Sequence, residues 1–417
     1  MFIGIITMLA ICIPTTARAD VISDWNEIAI REAVAAGRGG PTPSIDLATM
    51  HAAMYDAVQA IEKDYEPYRV TDVPNASGSP IAAAAKAARD VLVYRFAAFP
   101  ARVDIIHTDY LNYLSSRGLS ADPGIAVGTY VAAKLLAYRS CDGSLPIPTP
   151  TFEGGTGIGQ WRPTPPNFPK MNPGEFFGQI TPFFLTRPTQ FRADPPPAVN
   201  SKRYTRDYNE VKLYGAKTGS LRSAEQTDLA QFWGGNTFSA IFSGVRNVAA
   251  ANVDNVSDSS RLFALVAMSQ ADTLITVWDA KFHYNVWRPI TAIREGDADG
   301  NDDTVGDAAW DSLIVNPPYP DYTSGANGVS SSSMYAMEHF FETDKMEFDM
   351  TTTNVANTNQ DTRHYTSFSQ AIQEVVDARV LLGIHFRFAD EGSVKIGHDV
   401  VKWAHKNYLR PRSGASN

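Results

Sequence analysis

Residues 258–285 read DSSRLFALVAMSQADTLITVWDAKFHYN. The stretch reads as one long apolar helix, and Pro289 then ends or bends it. Working toward the N-terminus, further stretches carry apolar residues at helical spacing. Trp25 to Ala36 is one, and Ile45 to Ile61 is another, through Ile45, Leu47, Met50, Ala53, Met54, Ala57, Val58 and Ile61. Ile81 to Phe96 is Ala-rich, and Arg102 to Ser116 and Ile125 to Tyr138 continue the pattern. Ser223-Ala224-Glu225-Gln226 forms a capping box that opens a helix through Trp233. Toward the C-terminus, Ser331 to Phe341 and Phe368 to Gly383 read as helical. Alternating patterns are scarce, so the expected fold is all-α.

One segment departs from this pattern. From Pro146 to Pro197 prolines recur every few residues and bar regular structure. The same segment holds Trp161, Phe168, Phe176, Phe177, Phe183, Phe184 and Phe191. Disordered segments are poor in aromatics, so this one reads as an ordered excursion clamped over helices. It either frames a substrate mouth or is a structural wrap. No flexible linker divides the chain. Residues 20–417 are expected to form one helical domain, with N-terminal helices and the excursion in 20–222 and further helices in 223–417.

The composition is that of a globular protein: 417 residues, 44% hydrophobic and 19% charged. Net charge is −9 without a Lys/Arg run, which argues against nucleic acid and anionic membrane surfaces as partners. Residues 1–19, MFIGIITMLAICIPTTARA, end in the small-x-small pattern Ala17-Arg18-Ala19. They read as a signal peptide for a secreted or periplasmic protein and are too short for a spanning helix. Cys12 would leave with that segment. Cys141 is then the remaining cysteine, which excludes an intrachain disulfide and a Cys-based metal site. Asp297, Asp299, Asn301 and Asp303 imitate the start of a calcium loop. Asp302 stands at the glycine position and Ala308 at the final carboxylate position, so this is read as a solvated loop.

Three segments offer an oxyanion pocket: KFHYNVWRP (281–289), PDYTSGANG (320–328) and ARVLLGIHFRFAD (378–390). Lys281 and Arg288 fall within about 20° of each other on a continuous helix, or Arg288, preceding Pro289, already leaves it and aims its guanidinium sideways. The planar fork of arginine matches oxyanion geometry. If a helix starts soon after Ser324-Gly325, its free amides point at an anion and Ser324 adds a hydroxyl. Arg379 and His385 share a face only if their helix ends near Gly383, where glycine makes an end plausible. Taken singly, each feature has an ordinary structural explanation. His51, His107, His283, His339, His364, His398 and His405 are read as structural.

Together these residues resemble the site pattern of vanadium-dependent haloperoxidases and the related acid phosphatases of the type 2 phosphatidic acid phosphatase superfamily. That pattern is Lys, Arg-Pro, Pro-Ser-Gly-His, then Arg with six residues to His. Lys281, Arg288-Pro289, Ser324-Gly325, Arg379 and His385 match it in order and spacing. Trp278, Trp25-Asn26, His51 to Asp56, Gln190-Phe191-Arg192, Pro195-Pro196-Pro197 and Tyr208 to Lys212 look like the haloperoxidase branch, and secreted bacterial members in particular.

The resemblance implies vanadate as cofactor, with phosphate as a substitute. Lys281, Arg288 and Arg379 would neutralise its oxygens, while Ser324 and the Gly325 amide would hydrogen-bond them. His385 would be the metal ligand, or the nucleophile in the phosphatase branch. Lys281 would polarise bound peroxide. The implied partners are hydrogen peroxide, a halide and a small organic substrate, and the implied assembly is a homodimer. Tyr319 stands where the haloperoxidase branch varies with halide preference. Three positions depart from the pattern: Ala326 replaces the acid–base histidine, Thr323 replaces the proline, and Asp390 lies one residue beyond a common phosphatase spacing from His385. Ala326 leaves open a member that binds an anion or performs non-redox chemistry.

Overall fold

The computed structural model describes residues 20–170 and 174–412. The signal peptide expected at residues 1–19 lies outside them. The first helices are α1 (Val21–Ala35), α2 (Thr42–Glu62), α3 (Pro80–Arg95), α4 (Pro100–Ser115) and α5 (Gly124–Arg139). After the proline-rich excursion come α6 (Lys202–Tyr214), α7 (Ala224–Phe232), α8 (Thr237–Asn252) and the long α9 (Val256–Tyr284). A short α10 (Pro289–Arg294), α11 (Gly325–Phe341), α12 (Phe368–Leu381) and α13 (Arg387–Asn407) complete the helices. The fold is all-α in class, as the periodicity predicts.

The central helix is α9, which packs against α2 on one side and against α11 and α13 on the other. From Leu262 to Trp278 its side chains are buried all round, polar ones included, and that explains the near-continuous apolar sequence. One buried cluster runs through these helices from Val21 to Leu409. The capping box at Ser223 forms as read: Ser223 accepts from the Gln226 backbone and Gln226 reaches back.

Two features differ from the sequence reading. First, α9 ends at Tyr284, in line with the 258–285 reading, but Asn285 rather than Pro289 closes it. Asn285 adopts φ 50° and returns its N–H to the Lys281 carbonyl. Asparagine tolerates this left-handed geometry, so it closes the helix before the proline can. Pro289 instead occupies the first turn of α10, where its missing N–H costs nothing. Second, an antiparallel hairpin, β1 (Lys345–Thr351) with β2 (Thr362–Ser367), joins α11 to α12 and lies against α8. Its inner face carries Phe348, Met350 and Tyr365. The alternation Met346, Phe348, Met350 is the signal that sequence reading passed over.

The excursion contains two 3₁₀ turns, 175–179 and 188–191, and no α-helix or strand among its described residues. Its described residues wrap α9 and supply no wall of the cavity described below. Its anchor is Asp272, in the middle of α9, whose carboxylate accepts the backbone N–H groups of Phe183 (2.6 Å), Phe184 (2.7 Å) and Leu185 (2.9 Å). Arg139 holds the same turn through the carbonyls of Thr181 and Pro182. Burial pushes the Asp272 carboxyl up to about 6, and the three N–H bonds oppose that rise. Asp272→Ala would strand three buried donors, each of which costs about 1–3 kcal/mol. We expect the variant to lose about 3 kcal/mol or more in denaturant unfolding, whereas a surface carboxylate such as Asp302→Ala should change stability by less than about 0.5 kcal/mol.

Candidate active site

Lys281 sits in the last turn of α9 and is fully buried. Its ammonium donates to the carbonyls of Pro320 (2.7 Å) and Asp321 (3.0 Å), which leaves one N–H unassigned. It lies 5.1 Å from the Tyr319 ring centroid and 5.6 Å from that of Trp278. Desolvation, with the neighbouring Arg288 charge, holds its pKa well below that of an ordinary lysine.

Arg288 has already left the helix, as its place before Pro289 suggests. It is not on the α9 surface, because proline at 289 excludes helical geometry before it. Its backbone is extended (φ −82°, ψ 156°), and the side chain is driven inward with no exposure. Nε donates to the Tyr319 carbonyl (2.9 Å) and Nη1 to the Ile384 carbonyl (2.7 Å). Nη1 also lies 3.2 Å from His385 Nε2. Nη2 is buried without a partner.

Helix α11 begins at Gly325, with Ser324 as N-cap. The Ser324 hydroxyl makes no cap bond, so it is not consumed by the helix end. The first-turn amides lack intrahelical acceptors. On the third segment, α12 ends at Leu381 and Gly383 takes φ +78°. A side chain at Gly383 would meet the Gly215 carbonyl at 2.4 Å, so both the turn and the packing require glycine. This reversal carries His385 off the helix and back toward Arg288. Arg379 stays in the last turn of α12, donating Nη1 to the Trp233 carbonyl (3.2 Å) while its Nε has no partner.

The fold thus gathers Lys281, Arg288, Ser324, Gly325, Arg379 and His385 from three segments. Burial holds the His385 pKa well below its ordinary value, reinforced by Arg288, Lys281 and Arg379, which favours the neutral imidazole. His51, by contrast, is buried between Asn26, Phe242 and Phe263 as a structural residue.

Sequence reading missed the role of Asp321. It is fully buried, with Oδ1 2.8 Å from His385 Nδ1 and 3.5 Å from Arg288 Nη1. Neither carboxylate oxygen has an aligned hydrogen bond, so its hold on the ring is electrostatic. An acceptor facing Nδ1 favours the proton there and leaves Nε2 bare. Burial pushes the Asp321 carboxyl up to about 7, opposed by Arg288 and Lys281. The acidic residue near His385 in sequence, Asp390, turns elsewhere: its Oδ1 accepts from Asn327 Nδ2 at 2.7 Å.

A cavity of about 290 Å³ opens onto this cluster at Gly325, Ala326 and Arg379. Tyr319 and Trp278 form part of its wall, and residues 38–43 and 234–238 form its rim. The donor set fits an oxyanion. Two buried guanidinium nitrogens without acceptors, a helix N-terminus and a spare ammonium N–H all call for oxygens, and vanadate or phosphate would supply them.

Several known proteins are similar to this chain. Residues 261–414 match the family model of the VCPO second helical-bundle domain, a span that contains all six residues. The vanadium chloroperoxidase of Curvularia inaequalis is 25% identical over 297 residues, 54% of this chain and 48% of that protein, so the match spans about half of that relative's length. A bacterial vanadium-dependent iodoperoxidase superposes with a TM-score of 0.78 at 22% identity, covering 95% of this chain and 98% of that one. An apo-type bacterial vanadium-dependent chloroperoxidase gives a TM-score of 0.72 at 17% identity, over 88% and 94% of the two chains. At these identities the two structures establish the shared fold. With the family model and the curated relative, they place residues 261–414 with the VCPO second helical-bundle domain and give the described chain the fold of the vanadium-dependent haloperoxidases.

Proposed function

We propose that this protein is a haloperoxidase-like enzyme that oxidises halide with hydrogen peroxide at a vanadate held by His385. The observation that carries the reading is the pair of unsatisfied guanidinium donors, Arg288 Nη2 and Arg379 Nε, buried beside a neutral imidazole. Arg288, Arg379 and Lys281 would balance the anion's charge, the Ser324 hydroxyl and the Gly325 amide would orient its oxygens, and His385 Nε2 would ligate the metal. Bound vanadate supplies the electrophilic activation of peroxide toward halide. The protein's own part is to exclude water, to keep Nε2 unprotonated and to place Lys281 against the oxygens. The rings of Trp278 and Tyr319 in the cavity wall lower the local dielectric and strengthen these charge contacts.

A second reading is hydrolysis of a phosphate ester, with His385 as nucleophile. The Asp321 contact favours it, because an Nδ1-facing carboxylate steadies the cation formed when Nε2 is phosphorylated. Peroxide-dependent bromination with and without added vanadate, run beside hydrolysis of an aryl phosphate, separates the two. Vanadate-dependent bromination is expected. Hydrolysis inhibited by vanadate, without bromination, would select the phosphatase. Failure of both, with phosphate still bound, would select a non-redox anion-binding protein.

A further inference from the structure

The pocket lacks a titratable side chain at Ala326, yet a carboxyl lies behind the neighbouring serine. Asp390 is fully buried in the first turn of α13. Asn327 Nδ2 bridges it to the site, 2.7 Å from Asp390 Oδ1 and 3.3 Å from Ser324 Oγ. The Ser324 backbone is tied to the same turn, because its N–H donates to the Ala389 carbonyl at 3.0 Å. Asn327 thereby occupies one lone pair of Ser324 and one oxygen of Asp390. Asp390 Oδ2 is left buried with no hydrogen-bond partner, and the shared Asn327 nitrogen keeps the Ser324 hydroxyl next to this carboxyl.

We propose that Asp390, acting through Ser324, takes the proton of the bound anion. The step is a paired transfer. An O–H of the anion passes its proton to Ser324 Oγ as the Ser324 O–H passes its own to Asp390 Oδ2. One O–H bond breaks and one forms at each transfer, the serine ends unchanged, and no electrons move. The inference rests on the anion-site reading and applies equally to phosphate and vanadate. Asp390 touches no substrate atom and is therefore a positioning residue with a proton-holding role.

The surroundings suit such a role. Burial pushes the Asp390 carboxyl well above the ordinary carboxylate range, and the Ser324 hydroxyl pulls it back. Of the charged groups facing it, Asp321 raises it further, while Arg379 and Arg387 lower it. A carboxyl raised in this way takes up a proton more readily than an ordinary carboxylate. The other carboxyl of the site, Asp321, faces His385 and Arg288 and offers no comparable route to Ser324.

The test uses the full chain and inorganic phosphate. Phosphate affinity is measured by calorimetry, and the phosphate-induced infrared difference spectrum is recorded in the carboxyl region. Phosphate should perturb a protonated-carboxyl band that is absent in Asp390→Asn and kept in Asp321→Asn. Ser324→Ala retains the carboxyl but breaks the route, so the band should stop responding to phosphate. This variant also serves if Asp390→Asn does not fold. Turnover, in whichever reaction the unaltered chain shows, should fall about tenfold or more in Asp390→Asn while phosphate affinity changes by less than about threefold. Tight phosphate binding with no carboxyl response, or a response that survives in Asp390→Asn, would overturn the relay alone. Absence of phosphate binding by the unaltered chain would overturn the anion-site reading and the relay with it.

Discussion

Replacing Arg288 with alanine is expected to weaken phosphate or vanadate binding by at least about a hundredfold. Two charge-assisted hydrogen bonds are at stake, each worth about 1.5–3 kcal/mol. The substitution does more than remove a ligand. Arg288 tethers the Tyr319 and Ile384 carbonyls, so it ties the loop before Ser324 to the turn before His385. It also faces the buried carboxyl of Asp321. Without it Asp321 must protonate or rely on Lys281 alone to offset its charge, and removing one partner of a buried pair costs up to about 3–5 kcal/mol. Denaturant unfolding and calorimetric titration with phosphate measure the two effects separately. Arg288→Lys should recover part of the stability and little of the affinity, because a point charge cannot span both carbonyls and an oxyanion. A folded Arg288→Ala that binds phosphate within about threefold of the unaltered chain would place the anion elsewhere.

Ala326→His should raise vanadate-dependent bromination by about tenfold or more. Ala326 opens onto the cavity beside Gly325 and Arg379, so an imidazole there has room to reach the anion directly. A positioned general acid–base typically contributes about 10²–10⁴-fold, and the route through Ser324 acts at one remove. Vanadate affinity should change much less than the rate, because the guanidinium, ammonium and backbone donors are untouched. The same substitution should restore turnover to Asp390→Asn if the two groups serve one proton. An unaltered rate with normal vanadate binding would show that proton transfer does not limit this enzyme, and would favour the non-redox reading.

Much of this architecture was legible in the sequence because its causes are local. The helix periodicities, the capping box at Ser223 and the need for a turn at Gly383 depend on residues within one or two turns of each other. The order Lys281, Arg288, Ser324, Gly325, Arg379, His385 was legible as a resemblance, and its convergence could be anticipated from the glycine and proline breaks. The exit of Arg288 from the helix follows Asn285 as much as Pro289, and a single left-handed residue carries a weak signal. The hairpin was hidden because its alternation is short and its stabilising partner, α8, lies far away in sequence.

What only the tertiary structure decided is which carboxylate serves which group. Asp390 is the nearer acid to His385 in sequence, yet the start of α13 turns it toward Ser324 and Asn327. Asp321 comes from the preceding loop and reaches Nδ1 because Lys281 and Arg288 pin that loop's carbonyls from Tyr319 to Asp321. The cavity rim likewise joins residues 38–43 to residues 234–238 across the core. Sequence sets the local geometry of each segment through short-range sterics and hydrogen bonds. The pairing of buried charges is set by which segments pack together, since the energy of a buried ion depends on its neighbours in space.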